Sequence, residues 1–413
     1  MAFLHARTAP VPLPVRLLNA AGRSLKKFGA DPVSLDAERL LAGVKKRAGT
    51  QLDPAVDEAA RQLLGSAQRS QNLTFFGRVF LSRTVAQRLG NHAGIQATLA
   101  AEPAITRQTI DRPWFIAALP RSGTTLLHRL LAEDPNNRVP RQWEMDRPCP
   151  PPQRASYERD PRITAVGRDI AILNRLAPGF RTIHAIGAAE PEECINLFAN
   201  DLRSVWFLVG LDLPEYAHWL YHQDLVPLYR RHRLQLQLLQ WRYRAERWVL
   251  KAPMHLLGLG PILSVYPDAQ IITTHRDPVS VVLSEASLFR TMRQAFQDNV
   301  DSTAIGREML DHLGDWTDAA LGARDAHPGT RFVDLSYHAL IADPMAAVRH
   351  IYTAFDAPLS TTATLRMEAW LRNNRQHKHG VHRYTPEEFG IDPDHVRRRF
   401  VRYSERFAAH LSS

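Results

Sequence analysis

The chain has 413 residues, of which 45% are hydrophobic and 23% are charged, and these values are close to those of ordinary globular proteins. They exclude the disordered, collagen-like and coiled-coil classes, and the length suits a large α/β domain with an appended helical region. Two cysteines, Cys149 and Cys194, are too few for a disulfide framework or a zinc site of four thiolates. We therefore expect a reducing, cytoplasmic compartment.

The apolar stretches are too short for a membrane span. A spanning helix needs roughly 20 consecutive apolar residues, and the longest uncharged stretch near the middle, 252–266, is interrupted by prolines and glycines. Prolines and Arg16 also divide the N-terminal segment, so it lacks the unbroken apolar region of a signal peptide. The sequence predicts no transmembrane segment.

The charge balance predicts an anionic partner. Lys and Arg total 52 against 42 Asp and Glu, a net charge of +10, and only six of the 52 are lysine. Nucleic acid, an acidic membrane face and a small polyanion all fit this excess. The arginines are scattered and aromatic residues do not alternate with them, which disfavours a nucleic-acid-binding module.

In chain order, residues 15–100 show apolar positions at helical spacing and predict several amphipathic helices. Short apolar runs then predict strands at 114–119, 248–250, 271–274 and 330–335, with helical stretches between them. Such strands form a parallel sheet that is covered by helices on both faces. The predicted fold class is therefore α/β.

The domain organisation follows from the same pattern. We expect an N-terminal helical region at 1–110 and a sheet-containing domain at 111–413. Within the domain, about 155–247 is mostly helical in pattern and is expected to form a lid over the carboxyl ends of the strands. Ligands bind at those ends in open parallel sheets.

The segment after the first strand, 120–125, has the composition of an anion-binding loop. A glycine-containing turn from a strand into a helix directs backbone N–H groups and the positive end of the helix dipole at one point. Gly123 supplies the turn, and Arg121 adds a positive charge of planar shape. Hydroxyl donors come from Ser122, Thr124 and Thr125.

The same loop argues against ATP chemistry. The NTPase motif GxxxxGK[ST] would place glycine at Ala118 and lysine at Thr124. Because the phosphate-binding lysine is missing, a nucleotide-dependent kinase or NTPase is the weaker alternative. A nucleotide-binding protein without catalysis is a second alternative.

Two segments, FIAALPRSGTTLLHRLLAEDP and HRDPVSVVLS, resemble the two donor-binding motifs of sulfotransferases that use 3′-phosphoadenosine 5′-phosphosulfate (PAPS). The resemblance covers about 112–389 and is strongest to the bacterial branch of the family. It implies the P-loop-like sulfotransferase fold, PAPS as donor, 3′-phosphoadenosine 5′-phosphate (PAP) as product and no metal. By this resemblance, residues 121–125 hold the 5′-phosphosulfate, and Arg276 and Ser284 hold the 3′-phosphate.

The resemblance also implies catalytic residues. Lys251, at the end of a predicted strand, would donate to the leaving oxygen. Two residues compete for the role of base, Glu144, which we favour, and His255. Glu192, Glu193 and Cys194 are expected to line the lid, and no chemistry is assigned to them.

Three further expectations concern ligands. The basic loop 373–380, which includes Arg375, His377 and Lys378, is a candidate for additional phosphate contacts or a solvated loop. The nearby His379 and His382 lack the frame of a known metal motif, so no metal is expected. The apolar lid and N-terminal helices favour a small hydrophobic alcohol, phenol or lipid-like acceptor. Oligomeric state stays open, with a homo-oligomer as one option.

Overall fold

The computed structural model describes residues 12–28, 33–178, 186–374 and 385–411. Within these ranges the chain forms a five-stranded sheet of order β2-β3-β1-β4-β5, and every neighbouring pair is parallel. The strands are β1 (Trp114–Ile116), β2 (Asn137–Arg138), β3 (Arg247–Lys251), β4 (Gln270–His275) and β5 (Phe332–Ser336). The predicted parallel α/β class is confirmed, and β2 is an edge strand that the apolar pattern did not predict.

Helices occupy most of the remaining described residues. Those before the sheet are α1 (Leu13–Lys27), α2 (Ala37–Ala48), α3 (Pro54–Arg69) and α4 (Phe75–Ala101). Those between β1 and β3 are α5 (Thr124–Leu131), α6 (Gln142–Asp146), α7 (Pro161–Leu176), α8 (Ile195–Ala199), α9 (Trp206–Gly210), α10 (Pro214–Tyr221) and α11 (Val226–Gln240).

The C-terminal half continues the alternation of strand and helix. Its helices are α12 (Leu259–Val265), α13 (Pro278–Arg293), α14 (Ser302–Ala326), α15 (Tyr337–Ala342), α16 (Pro344–Ala354), α17 (Thr361–Asn373), α18 (Pro393–Arg399), α19 (Val401–Arg406) and α20 (Ala408–Leu411). Short 3₁₀ helices lie at Pro103–Arg107, Arg154–Arg159, Pro253–His255 and Glu387–Phe389. None of the described helices combines the length and the apolar character that crossing a bilayer requires.

The sheet separates two hydrophobic cores because successive side chains of a strand point to opposite faces. Phe115 of β1 belongs to a large core that extends without interruption into α2, α3 and α4. Its neighbours Trp114 and Ile116 belong to a second core, which α5 and α16 cover. Helices therefore cover both faces of the sheet. The division of the chain at residue 110 and the lid at about 155–247 stay predictions.

The position of β1 in the sheet brings three loops together. β1 pairs with β3 on one side, where Ile116 is opposite Lys251, and with β4 on the other, where Ile116 is opposite Ile272. Parallel strands end at the same edge of a sheet. The segments that follow β1, β3 and β4 consequently meet at this edge.

Candidate active site

The loop between β1 and α5 has a strained backbone. Arg121 has a φ of +61° and Gly123 a φ of +86°, both in the left-handed region that favours glycine. A Cβ atom at Gly123 would lie 3.0 Å from Leu340 Cδ2 and 3.4 Å from the Tyr337 ring. Gly123 caps α5 without a side-chain hydrogen bond, so the first N–H groups of the helix can serve an anion.

The hydroxyl groups of this loop have different roles. Ser122 is fully buried, and its Oγ donates to the carbonyl oxygen of Leu119 and lies 2.7 Å from Thr274 Oγ1 on β4. It therefore fixes the loop to the sheet. Thr125 is exposed, and Thr124 is largely buried.

The second motif is hydrogen-bonded to the first. Arg276 follows β4, and its Nη1 donates to the carbonyl oxygen of Arg121 at 2.6 Å. Arg121 Nε in turn donates to Ser284 Oγ on α13 at 3.2 Å. The guanidinium carbon of Arg276 lies 4.4 Å from the ring centroid of Tyr337, a cation–π contact that restricts its orientation. The structure thus brings all three predicted residues together.

The start of α13 explains how Ser284 reaches this point. Asp277 precedes the helix, and its Oδ2 accepts a hydrogen bond of 2.9 Å from the N–H of Ser280. Pro278 occupies the first helical turn, where its fixed φ suits a helix and its missing N–H costs nothing. The helix therefore begins directly after β4 and carries Ser284 along the edge of the anion loop.

Lys251 lies on the other side of the loop. It is the last residue of β3, its side chain is 2% exposed, and Nζ donates to Glu193 Oε1 at 2.6 Å and to Thr125 Oγ1 at 3.3 Å. The N–H of Cys194 donates to the carbonyl oxygen of Lys251 at 2.9 Å, which fixes the Glu193 segment to β3. The sequence analysis assigned no chemistry to Glu193.

An apolar cavity adjoins the loop. Its empty space, including open solvent at the entrance, is about 1000 Å³. Its polar lining consists of Arg121, Thr124, Thr125, Glu192, Glu193, Asn196 and Glu285. Its apolar walls come from α4, α9, α13 and the segment after α13, and they include Phe80, Trp206, Phe207, Val209, Leu288, Met292 and Phe296. A molecule bound there would present one end to Glu193, which is hydrogen-bonded to the buried Lys251, and bury the remainder in apolar surroundings.

Glu144, the favoured base of the sequence analysis, lies away from this cavity. Its side chain is completely buried and accepts hydrogen bonds from Arg138 Nη2 at 2.7 Å, from the N–H of Arg141 at 2.9 Å and from the Tyr157 hydroxyl at 3.2 Å. Burial and the neighbouring Glu144 carboxylate raise the pKa of Tyr157, so the hydroxyl is a stable donor. Glu144 is not among the residues that line the cavity.

His255, the alternative base, also lies inside the protein. It is fully buried between aromatic rings, including those of Phe115 and Phe198. Its Nδ1 is 2.8 Å from the Tyr229 hydroxyl oxygen. Burial holds the pKa of His255 well below its usual value, and the neighbouring His232 and Lys251 act in the same direction. The imidazole is consequently neutral and lies outside the cavity lining.

The late basic loop is the candidate for additional phosphate contacts. Apart from Asn373 and Asn374 at the end of α17, the loop 373–380 and the following His382 and Arg383 lie outside the described residues. Within the described ranges, no group of three or more His, Cys, Asp or Glu side chains is arranged to hold a metal ion.

Comparison with known proteins identifies the family. Residues 113–361 match the sequence model of the sulfotransferase family. The chain is similar to sulfotransferase STF9 from Mycobacterium avium, with a TM-score of 0.84 and 27% identity over 92% of this chain and 99% of that one. It is also similar to sulfotransferase STF1 from Mycobacterium tuberculosis, with a TM-score of 0.78 and 31% identity over 90% of this chain and 99% of that one.

A curated relative from Mycobacterium tuberculosis is named omega-hydroxy-beta-dihydromenaquinone-9 sulfotransferase Stf3. It is 23% identical over 319 residues, which cover 69% of this chain and 73% of the relative. The family match spans more than half of the chain and includes the anion loop, Lys251, Arg276 and Ser284. The chain therefore belongs to the sulfotransferase family and is a sulfotransferase.

Proposed function

We propose that this sulfotransferase uses PAPS as its donor and transfers the sulfo group to a hydroxyl of a hydrophobic acceptor. The observation that carries the proposal is the hydrogen-bonded connection from the loop 120–125 to Arg276 and Ser284, beside an apolar cavity. Two linked anion sites match a donor that bears phosphate at two positions of one nucleotide.

The loop fits the 5′-phosphosulfate. The left-handed backbone at Gly123 leaves the N–H groups at the start of α5 available, and Arg121 and Thr125 are exposed beside them. Backbone N–H groups with a helix dipole behind them bind phosphate and sulfate without a metal. Ser122 contributes its backbone, since its hydroxyl is bonded inside the protein.

The site of Arg276 and Ser284 fits the 3′-phosphate. The Arg276 side chain is half-buried and is positioned by the Tyr337 ring. Ser284 Oγ already accepts a hydrogen bond from Arg121 Nε, so its own proton can be donated to a phosphate oxygen. Charge-assisted hydrogen bonds from arginine to phosphate are among the strongest in proteins.

Lys251 is the proposed donor to the leaving group. The new bond joins the acceptor oxygen to sulfur, the bond from sulfur to the 5′-phosphate oxygen breaks, and its electron pair remains on that phosphate. Lys251 Nζ, 3.3 Å from Thr125 Oγ1, lies beside the loop that would hold this phosphate. A buried ammonium group at this position stabilises the developing negative charge.

Glu193 is the proposed base. Its carboxylate lines the cavity and accepts from Lys251 Nζ at 2.6 Å, so one residue pair faces both the acceptor and the leaving group. When Lys251 donates to the bound phosphosulfate, the carboxylate becomes free to take the proton of the acceptor hydroxyl. Glu144 and His255 stay predictions for this role, but their closed surroundings favour Glu193.

A hydrophobic alcohol or phenol is the proposed acceptor class. The cavity walls are mainly aromatic and aliphatic, and such walls bind the apolar body of a ligand while a few polar groups orient its reactive end. The curated relative is named for the hydroxyl of a menaquinone derivative, which agrees with this class. A cytoplasmic location also remains part of the proposal, and the free thiols of Cys149 and Cys194 support it.

The test combines a donor experiment and an acceptor experiment. The protein is incubated with PAPS and a panel of alcohols and phenols of increasing chain length, and products that gain one sulfo group are identified by mass spectrometry. Sulfated product with PAPS, competition by PAP and no product with adenosine 5′-phosphosulfate are the expected results. Equal turnover of both donors would contradict the assignment of the second anion site.

A further inference from the structure

The exposed apolar residues of the protein are concentrated at α1. The described chain has eight large hydrophobic side chains that are strongly exposed, and five of them lie on α1 or directly after it. They are Leu13, Leu17, Leu18, Leu25 and Phe28, with exposures from 41% to 87%. A cluster of this kind on one surface marks an interaction site, whereas single exposed leucines do not.

The opposite side of α1 is fixed to the protein. Val15 and Asn19 are buried, and Asn19 Oδ1 accepts a hydrogen bond of 2.9 Å from the N–H of Phe76 at the start of α4. Gly22 lies so close to α4 that an added Cβ atom would be 2.3 Å from Phe75 Cβ. The helix is therefore held in one orientation, and its apolar face points away from the core.

The third side of α1 is basic. At about 100° per residue, Arg16, Arg23 and Lys27 fall on one strip between the buried side and the exposed apolar side. The helix Leu13–Lys27 contains four basic residues and no acidic residue. Only Arg23 among the three has an ion-pair partner in the described structure, Asp298 at 3.0 Å. An exposed apolar face bordered by basic residues is the pattern of helices that lie in the surface of an anionic bilayer.

α1 also lies directly outside the cavity. Phe76 and Phe80 of α4 both stack on Phe296, with ring centroids 5.6 Å and 4.5 Å apart, and Phe80 and Phe296 line the cavity. Asn19 contacts α4 at Phe76, and Arg23 contacts Asp298, two residues after Phe296. The same two segments thus support α1 on one side and form the cavity wall on the other.

We infer that α1 docks the enzyme on the surface of an anionic lipid bilayer, with Leu13, Leu17, Leu25 and Phe28 inserted among the lipids and Arg16 and Lys27 at the headgroups. The inference of a docking surface rests only on the exposed face of α1. Its consequence, that the hydrophobic acceptor reaches the cavity from the membrane, rests on the proposed function. Bilayer binding is favoured over self-association because the basic strip complements anionic lipid and repels a second copy of itself.

The experiment measures vesicle binding of the full chain by flotation, with vesicles of phosphatidylcholine alone or with phosphatidylglycerol added. We expect binding to the anionic vesicles that weakens as salt is raised. Replacing Leu17 and Leu25 by Glu is expected to lower the partition coefficient by about tenfold or more, since two apolar side chains no longer enter the lipid. Replacing Arg16 and Lys27 by Glu is expected to lower it by about fivefold for each residue.

Leu365→Glu is the control, because the exposure of Leu365, 58%, lies between those of Leu17 and Leu25, 62% and 43%, but Leu365 is on α17. Thermal unfolding of each variant confirms that it folds. Equal vesicle binding by the Leu17 and Leu25 double variant and by Leu365→Glu would overturn the docking surface. The docking surface would also be overturned if the wild type did not bind vesicles and instead formed a dimer that the double substitution converted to a monomer.

Turnover separates this inference from the proposed function. The double variant is expected to keep wild-type turnover on a water-soluble acceptor and to lose turnover on a long-chain acceptor embedded in vesicles. If the wild type turned over neither acceptor, the proposed function would be refuted. The result of the vesicle-binding experiment would still stand on its own. Wild-type turnover by the double variant on the embedded acceptor would refute delivery from the membrane.

Discussion

Arg276 Nη1 donates a hydrogen bond of 2.6 Å to the backbone carbonyl oxygen of Arg121, so the residue assigned to the 3′-phosphate also positions the loop assigned to the 5′-phosphosulfate. The two anion sites are therefore coupled through one guanidinium group.

The first prediction concerns Arg276→Ala. The variant loses a charge-assisted contact to the 3′-phosphate, and such contacts contribute about 1.5–3 kcal/mol, so we expect PAP to bind about 10- to 100-fold more weakly. Calorimetry with PAP and with adenosine 5′-monophosphate measures the effect. Ser284→Ala should show a smaller loss for PAP. A uniform loss for both nucleotides would indicate that Arg276 acts only through the loop.

The second prediction compares two carboxylates. Glu193→Gln is expected to lower kcat by about 10²- to 10⁴-fold, the usual contribution of a positioned base, while PAP binding is retained. Glu144→Gln is expected to keep kcat per folded molecule, because Glu144 lies outside the cavity lining. Single-turnover rates with saturating donor measure both.

The same pair of variants is also expected to lose stability, because each one breaks a buried ion pair. Glu144 neutralises the buried guanidinium of Arg138, and removing one partner of a buried ion pair costs about 3–5 kcal/mol. Urea unfolding should therefore show a large loss for Glu144→Gln, and Glu193→Gln should also lose stability because it leaves the buried ammonium group of Lys251 without its carboxylate. A severe loss of kcat in well-folded Glu144→Gln would restore Glu144 as the base.

The third prediction concerns the acceptor cavity. Val209 lines the cavity from α9, and Val209→Trp would fill part of the apolar space. We expect KM to rise for long-chain acceptors and to change little for short ones, while PAP affinity stays at the wild-type value. Steady-state kinetics over a series of chain lengths tests this. An equal effect at every chain length would place the acceptor elsewhere.

The fourth prediction is a loss of stability in weak acid. Burial lowers the pKa of His128 and of His232 from 6.5 to about 3, and Lys251 adds to the effect at His128. Between about pH 3 and pH 6.5, the unfolded chain therefore binds more protons than the folded chain. The free energy of unfolding is consequently highest above about pH 6.5 and falls as the pH is lowered. Each histidine should contribute about 1.4 kcal/mol per pH unit.

Urea unfolding between pH 7.5 and about pH 5 measures this slope, because most carboxylates still remain ionised there. His232→Phe removes one titrating group and keeps a ring of similar size among its aromatic neighbours. Its stability should fall less steeply with pH than that of the wild type. An unchanged slope would show that His232 does not titrate differently on unfolding.

The sequence could predict most of the sheet because four strands are short apolar runs followed by helical patterns. β2 could not be predicted because its two residues, Asn137 and Arg138, are polar. Its pairing with β3 is also short and involves only Arg247 and Trp248. The anion loop and the arginine and serine of the second motif could be predicted because their spacing within one segment determines their position.

The proposed role of Glu193 could not be predicted in the same way. Its partner Lys251 lies 58 residues further along the chain, and only the folded sheet brings the two together. The acidic pair at 192–193, directly before a short apolar helix, was the available signal. Glu144, which stays a prediction for the base, lies in a segment with basic and aromatic residues, and the fold uses them to enclose the carboxylate.

The arrangement of β3, β1 and β4 has a consequence for what the enzyme can recognise. Lys251, the loop after β1 and Arg276 each stand at the end of one of three adjacent strands, and neighbouring strands are about 4.8 Å apart. The backbone hydrogen bonds of the sheet therefore fix the distances between these three positions. Donors whose two phosphates are spaced differently are expected to bind more weakly, and a side-chain substitution such as Arg276→Ala would weaken one proposed site without changing the distance between the ends of β1 and β4.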